Sequence, residues 1–261
     1  MPSQLQSDKH VVFDIDWTIV AEVKNPSKEL IASKKLLLVE DHYYIAHNGL
    51  QDLIVQILNK KDVNISFFSG GKKSRNAELL SKIKLSDGRS LSEIAYKILS
   101  SEDLVKVEGA LENAPFAERY KKNLQLVSKN LDQLIMFDDT IDFVLEGNSS
   151  HKNHVFHMGV AFEHFESFKE AEGLSGKYIP KTYDQWLLNN NRLVILKGAF
   201  LDAYDESLRD GISFSEAMKK KEKLLNFQSH EWNIYSESYF KKKSLKVEYG
   251  GACFDGLKVF F

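Results

Sequence analysis

Three largely apolar runs mark the chain, and each stops at acidic or small polar residues. Val11-Val12-Phe13 leads into Asp14-Ile15-Asp16, Val63 to Phe68 into Ser69-Gly70-Gly71, and Leu134 to Phe137 into Asp138-Asp139. Short runs of this kind suit strands covered on both faces, as in a parallel sheet. Carboxylates do not belong in such an interior, so each strand is expected to end where they begin. Leu104 to Val107 reads as a third core strand and His154 to Met158 as a fifth.

The segments between follow other patterns. Asn25-Pro26 looks like a cap and a first-turn proline opening a short helix. Leu36 to Val39 and Tyr43 to Ala46 flank Glu40-Asp41-His42 as a β-hairpin. After Gly49, residues Leu50, Leu53, Ile54, Ile57 and Leu58 share one helical face, and Ser90 with Glu93 forms a capping box before Leu91, Ile94, Ala95, Ile98 and Leu99. Beyond Phe162 the pattern is helical. Phe162, Phe165 and Phe168 read as a core stripe. Thr182 and Gln185 cap a helix carrying Trp186, Leu193, Leu196, Phe200 and Tyr204, and Ser213 with Glu216 caps another. The apolar end, Leu257 to Phe261, must pack against something or lead into further chain.

Composition narrows the class. At 261 residues with 43% apolar positions, the chain can bury a full core in one large domain or two modest ones. The 35 Lys+Arg nearly balance 37 Asp+Glu, so the net charge of −2 gives no general pull towards nucleic acid. The single cysteine, Cys253, excludes an intrachain disulfide framework and suits a reducing, cytoplasmic compartment. Met1 to His10 is polar and lacks a signal-peptide core, and no window reaches the roughly 18 apolar residues of a membrane span.

The strand ends carry the chemistry. Asp14 and Asp16 repel each other unless a cation or a shared proton compensates, and Mg²⁺ takes carboxylate and backbone oxygens. A carboxylate can also attack phosphorus and form an acyl phosphate. Ser69-Gly70-Gly71 offers a hydroxyl donor and unobstructed N–H groups for close approach to a phosphate; Ser69 would equally serve as a helix cap. A nucleotide P-loop is excluded, because position 66 is Ser where that motif needs Gly. His151, His154 and His157 are spaced by three, but alternation along a strand puts the last two on opposite faces, which argues against a shared metal.

Asp14, Asp16 and Thr18 resemble motif I of the haloacid dehalogenase superfamily, which reads Asp-x-Asp-x-Thr after an apolar strand. Ser69 resembles its motif II, and Asp138-Asp139 its paired-acid motif IV, with Asp142 fitting a spaced-acid form. Lys122, in Lys122-Asn123-Leu124, resembles the motif III lysine of the polymerase-tail phosphatases, with Lys121 as the alternative. The resemblance covers about residues 9 to 160. It implies an α/β, Rossmann-like core over 1–162 with a central parallel sheet, a short β-hairpin insertion after motif I, and a mainly helical accessory region over 163–261.

It also implies a Mg²⁺-dependent phosphohydrolase. Asp14 would be the nucleophile and Asp16 the general acid and base. Mg²⁺ would lie on Asp14, the Asp16 carbonyl, and Asp138 or Asp139. Ser69, Gly70 and Lys122 would hold the phosphoryl group, with Thr18 and Asp142 in support. No large cap domain interrupts the motifs, so the site should be open, which suits a phosphorylated protein or peptide. Trp17 resembles an aromatic of the magnesium-dependent phosphatase group, and points to phosphotyrosine unless its ring faces the sheet–helix interface. Departures are visible. His47-Asn48-Gly49 stands where the polymerase-tail enzymes have Arg-Pro-Gly, and the proline after motif IV is missing.

Two other readings stay open. One is a small-molecule phosphatase whose C-terminal region acts as a lid. The other is a targeting or adaptor protein with secondary catalysis, whose runs Lys219-Lys220-Lys221, Lys223 and Lys241-Lys242-Lys243 meet anionic lipid or an acidic partner unless they form a solvated face. An uncommon tail on a capless phosphatase would suit a bacterial effector delivered to a host cell. A cysteine-based tyrosine phosphatase is excluded, since Cys253 lacks the arginine six residues on.

Overall fold

The structure, a computed structural model, describes residues 9–146 and 151–248, with side chains as far as 241. Cys253 and the apolar end Leu257 to Phe261 lie outside the described residues. The first strand, β1 (Lys9–Phe13), is buried along its whole length, as its apolar run requires. The chain then reverses into β2 (Val20–Glu22), which joins β4 (His42–Ala46) and β3 (Leu36–Val39) in a small antiparallel sheet. The expected hairpin therefore has a third strand. Its turn is tight because Glu40 and Asp41 both adopt positive φ, 45° and 65°, as a two-residue hairpin loop demands. The short helix α1 (Lys28–Ala32) is capped by Ser27, whose hydroxyl accepts from the Leu30 N–H. The cap thus falls two residues after the expected Asn25, and Pro26 precedes it.

Next come α2 (Leu50–Leu58) and β5 (Val63–Phe68), then α3 (Lys73–Lys82). The Ser90–Glu93 capping box forms, but its helix, α4 (Leu91–Ile94), is only four residues long. Ile98 and Leu99, expected on that helix, instead lie in β6 (Lys97–Leu99), parallel to β5. This is the third core strand. Within the expected segment Leu104 to Val107, β7 (Val105–Lys106) pairs antiparallel with β8 (Tyr120–Lys121), just after α5 (Phe116–Arg119). Then follow β9 (Leu134–Asp138) and β10 (Val155–His157), the expected fourth and fifth core strands.

Among the described residues the central sheet has five parallel strands in the order β10-β9-β1-β5-β6. This is the Rossmann-like α/β architecture the motifs imply. From β1 the chain builds outward through β5 and β6, then returns to the other side of β1 with β9. The topological switch point therefore lies between β1 and β9. In open α/β sheets the crevice beyond the carboxyl ends of strands at such a point is where ligands bind.

The remaining chain is helical, with α6 (Phe168–Ala171), α7 (Tyr183–Asn190), α8 (Arg192–Asp210), α9 (Phe214–Leu225) and α10 (Ile234–Glu248). Of the phenylalanine stripe, only Phe168 is helical. The helix expected from Thr182 breaks at Asn191 into α7 and α8. Leu196, Phe200, Phe214 and Met218 share one apolar core with Phe13, Phe67 and Phe137 of the sheet. The Lys219–Lys221 run pairs internally. Lys221 meets Glu206 at 2.6 Å, Lys220 meets Glu216 at 3.3 Å, and Lys219 donates to the Val155 carbonyl at 2.6 Å. No helix among the described residues is long and apolar enough to cross a membrane.

The C-terminal helices pack tightly against Gly49, the left-handed residue preceding α2, with φ +81°. A Cβ there would lie 2.3 Å from Val194 Cγ2 and 2.9 Å from the Val194 amide nitrogen in α8. Gly49→Ala should lower unfolding free energy by about 2–5 kcal/mol, combining left-handed strain of about 1–2 with overpacking of about 1–3. Gly88→Ala, at φ +86° with nothing within 4 Å, should lose only the strain component. Urea denaturation of both variants checks this, and equal losses would sink the packing account.

Candidate active site

Asp14 follows directly on β1 and Asp138 closes β9, so the switch point sets two carboxylates side by side. The backbone fixes them: the Asp14 N–H donates to the Phe137 carbonyl at 2.9 Å, and the Met158 N–H donates to the Asp138 carbonyl at 2.8 Å. Lys122 enters from the segment after β8. Its N–H donates to the Phe143 carbonyl, and the Leu145 N–H donates back to the Lys122 carbonyl, each at 2.9 Å. The side chain is completely buried, and its ammonium donates to Asp14 Oδ1 at 2.6 Å and Asp138 Oδ2 at 2.7 Å. Lys121 turns outward and donates to the Asp142 carbonyl at 2.5 Å. Of the two lysines considered, the structure brings Lys122 to the acids.

Three carboxylates, those of Asp14, Asp138 and Asp139, have oxygens within 4.8 Å of one another. A single ammonium does not neutralise them. Burial, followed by the fields of Asp138, Asp139 and Asp16, holds the Asp14 pKa well above the ordinary value, although Lys122 opposes the shift. Burial and Asp138 push Asp139 up to about 6. Burial alone would lower the Lys122 pKa, but Asp138 and Asp14 more than offset it and keep the ammonium charged. Uncompensated negative charge on hard oxygen donors, on fixed strand ends, fits a divalent cation such as Mg²⁺. The residues that would hold it are Asp14, Asp138 and Asp139.

The other predicted residues divide into two groups. Ser69, at the end of β5, is buried, and its hydroxyl donates to Asp16 Oδ2 at 3.2 Å and accepts from the Gly71 N–H at 3.0 Å. It does not cap α3, whose N-cap is Lys72. At Gly70 a Cβ would meet the Phe116 and Phe143 rings at 3.1 Å. Trp17 is half-buried, stacks on Tyr178 at 5.7 Å, and has φ +61°. Thr18 is fully buried, and its hydroxyl has no partner among the described residues. Asp142 stays apart, exposed and paired with Lys152 at 2.7 Å. The three histidines do not converge. His151 receives the Leu124 N–H at 3.4 Å, His154 bonds Ser215 at 2.9 Å, and His157 bonds the Asp139 carbonyl at 2.8 Å.

Two arginines complete the surroundings. Arg75, in the first turn of α3, donates from Nη2 to Asp16 Oδ2 at 2.5 Å. Its only signal in the sequence is a cation one turn after the glycines, beside Lys72 and Lys73. Arg192, the first residue of α8, is buried and reaches the Trp17 carbonyl at 2.7 Å and the Met158 carbonyl at 3.1 Å. Nothing in the sequence marks it. A cavity of about 610 Å³ extends from Trp17 between residues 22–30 and 163–170.

No protein-family model and no curated protein matches the chain. Among solved structures it is similar to the fission yeast RNA polymerase II CTD phosphatase Fcp1 bound to beryllium fluoride, with 13% identity and a TM-score of 0.41 over 95% of this chain and 68% of that one. A further structure of Fcp1, described as an essential RNA polymerase II CTD phosphatase, gives 13% identity and a TM-score of 0.40 over the same shares. At that similarity, residue roles rest on the geometry of this chain alone.

Breaking a buried ion pair leaves a charge stranded and costs about 3–5 kcal/mol. Lys122→Met should therefore lose about that much stability. Lys121→Met, at a partly exposed site, should stay within about 0.5 kcal/mol of wild type. Parallel denaturant melts test this, and a reversed ranking would assign the central cation to the wrong lysine.

Proposed function

We propose that the chain is a Mg²⁺-dependent phosphoric monoester hydrolase that works through an aspartyl phosphate, with a phosphorylated protein as substrate. The observation that carries this reading is the buried Lys122 ammonium held between Asp14 and Asp138 at the switch point of the sheet, with Ser69 and Asp16 at the neighbouring strand ends. Asp14 Oδ1 is held by Lys122, and Oδ2 takes no hydrogen bond among the described residues. Oδ2 is thus the oxygen suited to in-line attack on phosphorus. As its bond to phosphorus forms, the bond to the leaving oxygen breaks, and Asp16 supplies the proton that oxygen needs. Water then attacks the aspartyl phosphate while Asp16 takes up its proton, and phosphate leaves with the Asp14 carboxylate restored. Lys122 and Ser69 offset charge on the phosphoryl oxygens, the fixed electrostatic support this chemistry relies on. Bound Mg²⁺ would supply further charge neutralisation. Asp16 in place of a residue unable to transfer protons favours hydrolysis over a long-lived intermediate.

Asp14→Asn should remove p-nitrophenyl phosphate turnover by several orders of magnitude while the protein melts cooperatively, because the carboxylate itself makes the bond. In wild type, chelation should abolish turnover and Mg²⁺ restore it, whereas Ca²⁺, with its looser and larger coordination, should not. Mg²⁺ should also raise the melting temperature, and Asp138→Asn should weaken that shift. Substantial turnover by Asp14→Asn would remove the reading altogether.

Trp17 supports phosphotyrosine as the substrate class. Trp17 adjoins Asp16 and is half-buried, so a phosphotyrosine ring can stack on it for about 0.5–1.5 kcal/mol, roughly a 2- to 12-fold preference over phosphoserine. Trp17→Ala should erase that preference in kcat/KM on matched phosphopeptides. A second reading has its own observation. The cavity beside Trp17 is of small-ligand size and is lined on one side by residues 163–170 of the C-terminal region, although Asp14, Asp16, Ser69 and Lys122 do not line it. A sugar phosphate outrunning both peptides would select that reading and end the phosphotyrosine one.

A further inference from the structure

Two donors from different elements converge on one oxygen beside the nucleophile. Ser69, at the end of β5, and Arg75, in the first turn of α3, both donate to Asp16 Oδ2, at 3.2 and 2.5 Å. The convergence is built into the loop between them. A Cβ at Gly71 would lie 2.3 Å from Arg75 Nη2 and 2.8 Å from its Cζ, so the guanidinium rests directly against the loop backbone. Asn76, fully buried, holds the loop in place by donating to the Gly71 carbonyl at 3.1 Å and to the Ser100 hydroxyl at 3.0 Å. The Tyr44 ring covers the guanidinium from the side of the small sheet, at 5.7 Å.

The arginine is not saturated by this arrangement. Its Nη1 is buried and has no partner among the described residues. A planar fork with one arm on an anionic oxygen and the other unused matches two oxygens of a phosphoryl group better than it matches Asp16 alone. Buried donors are rarely left unmet, and one that is calls for an explanation such as a ligand, an ion or an ordered water.

We propose that Arg75 is a phosphoryl-binding residue. A nonbridging phosphoryl oxygen replaces Asp16 Oδ2 between Arg75 and Ser69, Nη1 takes a second oxygen, and the displaced Asp16 carboxylate turns to the leaving oxygen. Asp16 therefore occupies the empty anion site and vacates it only when a phosphoryl group arrives. The inference rests on the phosphohydrolase reading and adds a residue to it. It also gives Gly71 a role, since any side chain there would drive the guanidinium out.

The competing account is that Arg75 merely orients Asp16, and the two accounts differ in what inorganic phosphate feels. The experiment measures phosphate binding by calorimetry in the presence of Mg²⁺, and kcat/KM for p-nitrophenyl phosphate and an alkyl phosphate, in wild type, Arg75→Met and Arg75→Lys, each checked by thermal melt. Loss of a charge-assisted hydrogen bond should weaken phosphate binding about 10-fold or more in Arg75→Met. Turnover of both substrates should fall by similar factors, and Arg75→Lys should recover part of the phosphate affinity by keeping the charge. Phosphate affinity within about twofold of wild type, with loss confined to the alkyl phosphate that most needs the Asp16 proton, would overturn the proposal. Calorimetry needs no turnover. A wild type that binds phosphate through Arg75 but hydrolyses nothing would keep the anion site and discard the phosphohydrolase reading.

Discussion

Lys122 is the cation that allows the strand ends to be acidic. Asp14 and Asp138 are buried neighbours because β1 and β9 are paired in register, and neither can move away without breaking the sheet. Buried like charges at this separation would force one carboxyl to stay protonated. One ammonium bonded to both makes the arrangement tolerable, yet leaves Asp139 and part of the charge unmatched. That residue of negative charge makes the crevice receptive to a divalent cation. The segment that delivers Lys122 runs beside Val144 as a short parallel bridge, so the lysine is positioned from the same side as Phe143, whose ring lies under the ammonium at 4.7 Å.

The helical region supports this centre from behind. Arg192 is buried with no carboxylate at ion-pair distance among the described residues, and burial lowers its pKa to about 10. Its guanidinium instead gathers backbone carbonyls of two loops, at Trp17 and at Met158 and Gly159. One loop carries Asp16 and the other leaves β10 beside Asp138. A second tie lies at the opposite end of β1, where Asp62 accepts from Lys9 and from the Tyr204 hydroxyl of α8, each at 2.6 Å. Side chains of α8 thus reach the segments flanking both ends of the first strand, and residues of α8 and β1 share one apolar core.

The sequence made the central strands legible because burial on both faces leaves no alternation, and because carboxylates and glycines stop each run sharply. The hairpin and α2 were legible for the same local reasons. What it concealed was set by tertiary contact. The Ser90–Glu93 box correctly announced a helix start, but β6 needs only three residues beside β5, and three residues carry no periodicity of their own. Phe162 and Phe165 sit at helical spacing yet pack from a loop, so spacing alone misassigned them. Arg75 and Arg192 meet their partners across 59 and 175 residues. No local pattern separates such arginines from solvated ones, whereas Lys122 stood out because a lysine between the Ser-Gly and Asp-Asp strand ends already had a place in the motif order.

The turn after Asp16 shows why two acids only two residues apart end up with separate partners. In a continuing strand, Asp14 and Asp16 would point to the same face. Trp17 instead adopts φ +61°, a conformation that costs a bulky residue about 1–3 kcal/mol unless its surroundings hold it there. They do: its N–H donates to the Val20 carbonyl at 2.8 Å, its carbonyl receives Arg192, and its ring stacks on Tyr178. The reversal is closed by the Ile19 and Val20 N–H groups, both donating to the Ile15 carbonyl. Asp14 is left on the sheet with Lys122, and Asp16 is carried across to Ser69 and Arg75. The two acids therefore meet different partners, and the strained residue that follows them is held in part by Arg192, 175 residues further along the chain.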